Sequence, residues 1–116
     1  MMGTTIKGKG IPAEKLLPSM ADMLSAFSHP IRLRLLYLLS KSELCVCEIV
    51  RALNLPQALI SQHLSVLRAQ GLAKSKRIGN RISYSLSNEK ISNLLKLAEE
   101  IISQRLKEIS SLIGGE

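Results

Sequence analysis

The chain has 116 residues, room for one domain and not for two, and its 46% hydrophobic content with 3% aromatics and no Trp suits a core of packed Leu and Ile helices. Lys and Arg number 16 against 9 acidic residues, a formal charge of +7 that points to a polyanionic partner, nucleic acid first and an anionic membrane second. Apolar runs fall far short of the ~20 residues of a membrane span, no secretory h-region follows the N-terminal methionines, and two cysteines this close in sequence exclude a disulfide scaffold, so the chain reads as soluble and cytoplasmic with no membrane partner.

Residues 1–12 carry Gly and Lys without an apolar period and read as a flexible N-terminal arm, leaving 13–113 as the folded domain. Ser19 reads as the N-cap of a first helix with Asp22 three residues on, and Met20, Met23, Leu24 and Phe27 form its apolar stripe. Ser28-His29-Pro30 supplies a cap residue and a first-turn Pro for a second helix that runs to about Leu39. Ser40 to Glu43 is a polar turn. A third helix spans roughly Val46 to Leu53 and stops at Asn54, a residue that tolerates the left-handed conformation. Pro56 opens a fourth helix to about Gln70, with Ile60, Leu64 and Leu67 inward and Gln57, Ser61, Ser65 and Arg68 on the polar side.

After Gly71 the period changes. Leu72 to Leu86 reads as two short strands around Gly79-Asn80, with Ile82, Tyr84 and Leu86 alternating against Ser83 and Ser85. Ser87 or Asn88 caps a last helix, from about Glu89 to Ile113, whose apolar residues exceed what one side of a monomer can bury. Two short helices followed by a basic hairpin make a winged helix-turn-helix: a mainly α fold with a small β-hairpin wing, homodimeric through surplus apolar surface.

The second helix of such a pair must offer the major groove a polar or basic face. Gln57, Ser61, Gln62, His63 and Arg68 provide it: Gln matches adenine edges, Ser several bases, and Arg guanine or phosphate. Lys74, Lys76, Arg77 and Arg81 fall within eight hairpin residues and suit phosphate or minor-groove contact. Each feature alone is commonplace, since a polar helix face is usually just solvated and His63 alone reads as a surface residue; the conjunction carries the double-stranded DNA reading. No Cys-X-X-Cys, no Gly-rich phosphate loop and no nucleophile beside His29 or His63 argue against an enzyme. A rival of another class, an architectural DNA binder, predicts little sequence preference and a steep salt dependence.

The segments AFSHPIRLRLLYLL, SELCVCEIVRAL and ISQHLSVLRAQGLAKSKRIGNRISYSL resemble the arsenic-repressor (ArsR/SmtB) family of winged-helix transcriptional regulators. That resemblance implies a transcriptional repressor, a homodimer joined by its first and last helices, an inverted-repeat operator, and an inducer that lowers DNA affinity. It places Gln57, Ser61, Gln62 and His63 on the recognition helix and Lys76, Arg77 and Arg81 on the wing.

It also implies a role for Glu43-Leu-Cys45-Val-Cys47-Glu48, which looks like the ELCVC segment where arsenic-sensing members hold As(III) or Sb(III) and related members hold Cd or Pb, with Zn as a further possibility for the inducer. No cofactor is implied for DNA binding itself. The arsenic-sensing pattern has a third Cys where this chain has Val50, and the interfacial zinc ligands of other members are replaced by residues such as Ile101 and Gln104. Positions i and i+2 on a helix point about 200° apart, so both sulfurs reach one ion only if the helix begins after Cys45 or unwinds there. Three readings stay open: a metalloid or soft-metal sensor, a thiol-redox switch, or an inert pair in which Cys47 is a small buried apolar residue.

Overall fold

The computed structural model describes residue 10 and residues 14–114. Most of the predicted 1–12 arm therefore lies outside the described residues. Among those described, the order is α1 (Leu16–Ser25), α2 (Pro30–Lys41), β1 (Leu44–Cys45), α3 (Val46–Leu53), α4 (Gln57–Ala69), β2 (Ala73–Ile78), β3 (Arg81–Leu86) and α5 (Lys90–Gly114).

Two predicted caps differ. α1 starts a turn before Ser19, whose hydroxyl instead donates back to the Lys15 carbonyl at 3.5 Å. At the head of α2 the cap is His29, not Ser28: His29 Nδ1 accepts the Ile31 N–H at 3.1 Å, while Ser28 Oγ donates to the Ser25 carbonyl. Pro30 then takes the first helical position, where its missing N–H costs nothing. Arg32 Nε donates to the Ala26 carbonyl at 2.9 Å and closes the turn between α1 and α2.

α3 and α4 follow the sequence expectation closely. Asn54 is the non-glycine residue with positive φ (54°), and its N–H returns to the Val50 carbonyl to end α3. Ile60, Leu64 and Leu67 of α4 are fully buried with Leu35 and Leu36 of α2 and Ile49 of α3. Leu72, Ala73, Ile91 and Leu95 close that core from the wing and α5.

β2 and β3 pair antiparallel from Ala73↔Leu86 to Ile78↔Arg81. Gly79 carries positive φ (61°) and Asn80 does not, the pattern of a two-residue type II′ turn. The sheet has a third strand that the sequence reading lacks: β1 pairs with β3, Leu44 opposite Tyr84 and Cys45 opposite Ser83. That pairing buries Ser83, whereas Ile82 is exposed, so the apolar alternation along β3 does not translate into burial.

Asn88 Oδ1 accepts the Lys90 N–H at 2.9 Å and caps α5. Tyr37 of α2 donates to Glu99 Oε2 at 2.6 Å and pins the middle of α5; that hydrogen bond, then burial, raises the Tyr37 pKa. Ile91 and Leu95 are buried, but the same face continues through Ile102, Leu106, Ile109 and Ile113, all exposed. At about 1.5 Å per residue the helix runs far past its own core.

Candidate nucleic-acid interface and cysteine cleft

α4 is held by its apolar side, which fixes what it turns outward. Gln57, Gln62, Ser65 and Arg68 are exposed and Ser61 is half-buried. Ser65, absent from the predicted contact set, lies opposite Leu64 and Leu67; the about 100° step per residue from Ile60 was the signal for it.

His63 departs from the expectation of a surface residue on the base-reading side. It is 8% exposed, and its ring lies 4.4 Å centroid to centroid from that of His29. Its Nδ1 is buried without a hydrogen-bond partner among the described residues. Burial, with the nearby charges of His29 and Arg32, lowers its pKa. His63 belongs to the joint between α4 and the head of α2.

Lys74, Lys76, Arg77 and Arg81 are all exposed on the wing. Lys76 Nζ sits 3.7 Å from Glu43 Oε2, a solvated pair worth little. Arg81 points elsewhere: its Nη1 lies 4.0 Å from Cys45 Sγ.

The cysteines fall at the one place where the helical geometry permits convergence. Cys45 is extended, at the N-cap of α3 and in β1, and Cys47 is in the first turn. Cys45 is buried and Cys47 exposed, the reverse of the inert-pair reading. Cys45 and Glu48 form a reciprocal cap: the Cys45 N–H donates to Glu48 Oε1 at 2.9 Å and the Cys45 sulfur accepts the Glu48 N–H. Glu48 went unnoticed in the sequence reading, although a Glu three residues past a cap was its signal. The backbone hydrogen bond from Cys45 holds the Glu48 carboxyl below its ordinary pKa.

Cys45 and Cys47 line the same cleft and perturb each other's acidity. Interaction with Cys45, assisted by the Arg81 and Arg51 charges, lowers the Cys47 pKa; interaction with Cys47 and then burial raise that of Cys45. Cys45, Val46, Cys47, Gln57, Asn80, Arg81 and Ile82 line a cleft of about 260 Å³. One soft donor pair is therefore in place, flanked by the first residue of α4 and the tip of the wing. Among the described residues no group of three or more Cys, His, Asp or Glu assembles that could hold a metal ion. The donor chemistry fits a thiophilic ion, with further ligands to come from outside these residues.

Helix pair, short third strand and basic hairpin define the chain as a winged helix-turn-helix of the kind found in transcriptional regulators. A family model for bacterial regulatory proteins of the arsR family matches residues 29–75. The transcriptional repressor PagR of Bacillus anthracis is 39% identical over 82 residues, 70% of this chain and 82% of PagR. The chain belongs to the ArsR family, whose members are regulators and not enzymes. A transcriptional repressor SmtB homolog of Synechocystis is 39% identical over 77 residues, 66% of this chain but 58% of that relative, so the match spans under two thirds of its length. The solution structure of the homodimeric winged helix-turn-helix DNA-binding domain Mb0332 from Mycobacterium bovis superimposes with a TM-score of 0.76 at 26% identity, over 89% of this chain and 95% of that one. No helix among the described residues is long and apolar enough to cross a membrane.

Proposed function

We propose that the protein is a homodimeric, sequence-specific DNA-binding repressor of the cytoplasm. We further propose that its hold on an operator weakens when a thiophilic inducer, arsenite or antimonite or a soft cation such as cadmium, takes up Cys45 and Cys47. In this reading Gln57, Ser61, Gln62 and Arg68 meet base edges and Lys76, Arg77 and Arg81 meet the backbone. His63 supports α4 from behind. The net charge of +7 favours the polyanion, and the uncovered apolar faces of α1 and α5 favour a second copy of the chain as dimer partner.

The observation that carries the sensor reading is the position of the two cysteines: at the cap and first turn of α3, in a cleft shared with Gln57 and Arg81. When bound, a thiophilic ion would engage the Cys45 sulfur that caps α3. Cys45 would then leave its capping role, and loss of an N-cap costs about 0.5–2 kcal/mol. α3 is the support on which α4 rests, so a loosened cap reaches the reading helix. Coupling of about 1–3 kcal/mol suffices for five- to a hundredfold release. An exposed, acidified Cys47 beside a second thiol also favours oxidation as an alternative trigger.

The test is fluorescence anisotropy of the reduced protein on its own upstream DNA, with arsenite, cadmium or peroxide. Release by arsenite or cadmium, reversed by a dithiol, is expected; release by peroxide alone makes the pair a redox switch. Specific binding that persists under all three refutes the sensor reading. Binding without sequence preference refutes the repressor reading and leaves an architectural protein.

A further inference from the structure

We propose that Arg81 couples the cysteine pair to the wing, its guanidinium being held by the sulfur site in the position from which it meets operator phosphate. The inference rests on the thiol-sensor reading above and names the residue through which that site acts.

Two observations support it. Arg81 Nη1 lies 4.0 Å from Cys45 Sγ, while Lys76 turns away to Glu43. Asn80, Arg81 and Ile82 form the wing's share of the cleft wall that both cysteines also line.

The backbone leaves little slack between these groups. Arg81 opens β3 across the turn from Ile78, and two residues later Ser83 pairs with Cys45 itself. The sulfur site and the wing are thus two ends of one short stretch of sheet. A guanidinium is planar and can lie along two acceptors, whereas an ammonium is a point charge. Cadmium binding displaces the thiol protons to solvent and engages the sulfur lone pairs in coordination, so the pair gains no net charge but no longer offers Arg81 an acceptor. Arg81 then loses its anchor, and the phosphate contact it was aimed at is lost with it.

Each phosphate contact adds about 0.9 to the slope of log affinity against log salt. The dimer holds two copies of Arg81, so cadmium is expected to flatten the wild-type slope by about 2. In Arg81→Gln the slope is already flatter, and cadmium leaves it unchanged. Arg81→Lys restores the slope by restoring charge but not the coupling, because an ammonium lacks the planar fork of donors that the guanidinium presents at Cys45.

The experiment titrates wild type, R81Q and R81K onto upstream DNA across a salt series, with and without cadmium, while thiolate-to-metal charge-transfer absorbance reports cadmium binding directly. The expected result is absorbance in all three proteins, with release of about fivefold or more in wild type, smaller release in both variants, and a slope that cadmium flattens in wild type but not in either variant. If wild type shows the absorbance and the release, but R81K releases to the same extent and its slope flattens equally, the Arg81 inference is overturned and the sensor reading stands. If wild type shows neither absorbance nor release, the sensor reading fails and takes this inference with it.

Discussion

The exposed face of α5 yields the prediction with the most direct magnitude. Ile102 is 54% exposed and Leu106 59%. Burying such a side chain fully is worth about 1.5–3 kcal/mol, so covering the remaining half recovers roughly 1 kcal/mol each. A two-fold interface uses every residue twice, so the pair contributes about 4 kcal/mol to a dimer, or about three decades in dissociation constant. Replacing both by Glu removes that gain and sets four carboxylates in an apolar seam. Ile102→Glu with Leu106→Glu is therefore expected to weaken dimerisation by at least about a thousandfold. Neither residue touches the domain's own core, so the variant should keep its helical circular dichroism and fold as a monomer. Sedimentation equilibrium against wild type, with Lys96→Ala as an exposed control, measures the shift. A variant whose dimer dissociates within tenfold of wild type would show that the surplus apolar stripe is not the interface, and the pairing of α5 with its copy would have to be abandoned.

Cys45→Ser with Cys47→Ser should keep α3 capped and specific operator binding in place, since Ser is a good helix cap, and should abolish release by arsenite; anisotropy on the same DNA decides it. His63 predicts a pH dependence. Its folded pKa lies below the ordinary 6.5 because the imidazole is buried, so the unfolded chain binds more protons as pH falls through that value. The stability contribution is complete above pH 6.5 and declines below it towards the lowered folded pKa. Urea unfolding midpoints between pH 7.5 and 5 should fall for wild type and fall less for His63→Leu; equal slopes would refute the assignment. Arg77→Ala should weaken all DNA sequences alike and flatten the salt slope by about 1 per contact, whereas Gln62→Ala should cost about 1–3 kcal/mol on the operator and relax preference at one base position. Competition titrations with operator and random DNA separate the two.

The helix-turn-helix was legible because its punctuation is local. Asn54 takes a left-handed conformation that Val, Ile or Leu would resist, and Pro56 restarts the chain at the next helix. The hairpin was legible for the same reason, Gly79 supplying the one positive φ its turn requires. What escaped depends on contacts distant in sequence. His63 lies next to the inward stripe of α4, and it packs against the ring of the α2 N-cap residue His29, 34 positions earlier in the chain. β1 is two residues long, too short for any alternation to show, and exists because β3 comes back to pair with it.

That short strand is also what makes the cysteine site intelligible. A Cys-X-Cys inside a helix would aim its sulfurs apart. Pairing of Cys45 with Ser83 keeps Cys45 extended, so α3 starts at Val46 and both cysteines line one cleft. The same pairing ties the sulfurs to the strand that begins at Arg81, while Gln57 closes the cleft from the reading helix. A sensor needs a site whose occupancy is felt by the parts that bind DNA. In this chain one backbone ladder, invisible to periodicity, provides both the convergence of the donors and their connection to the wing.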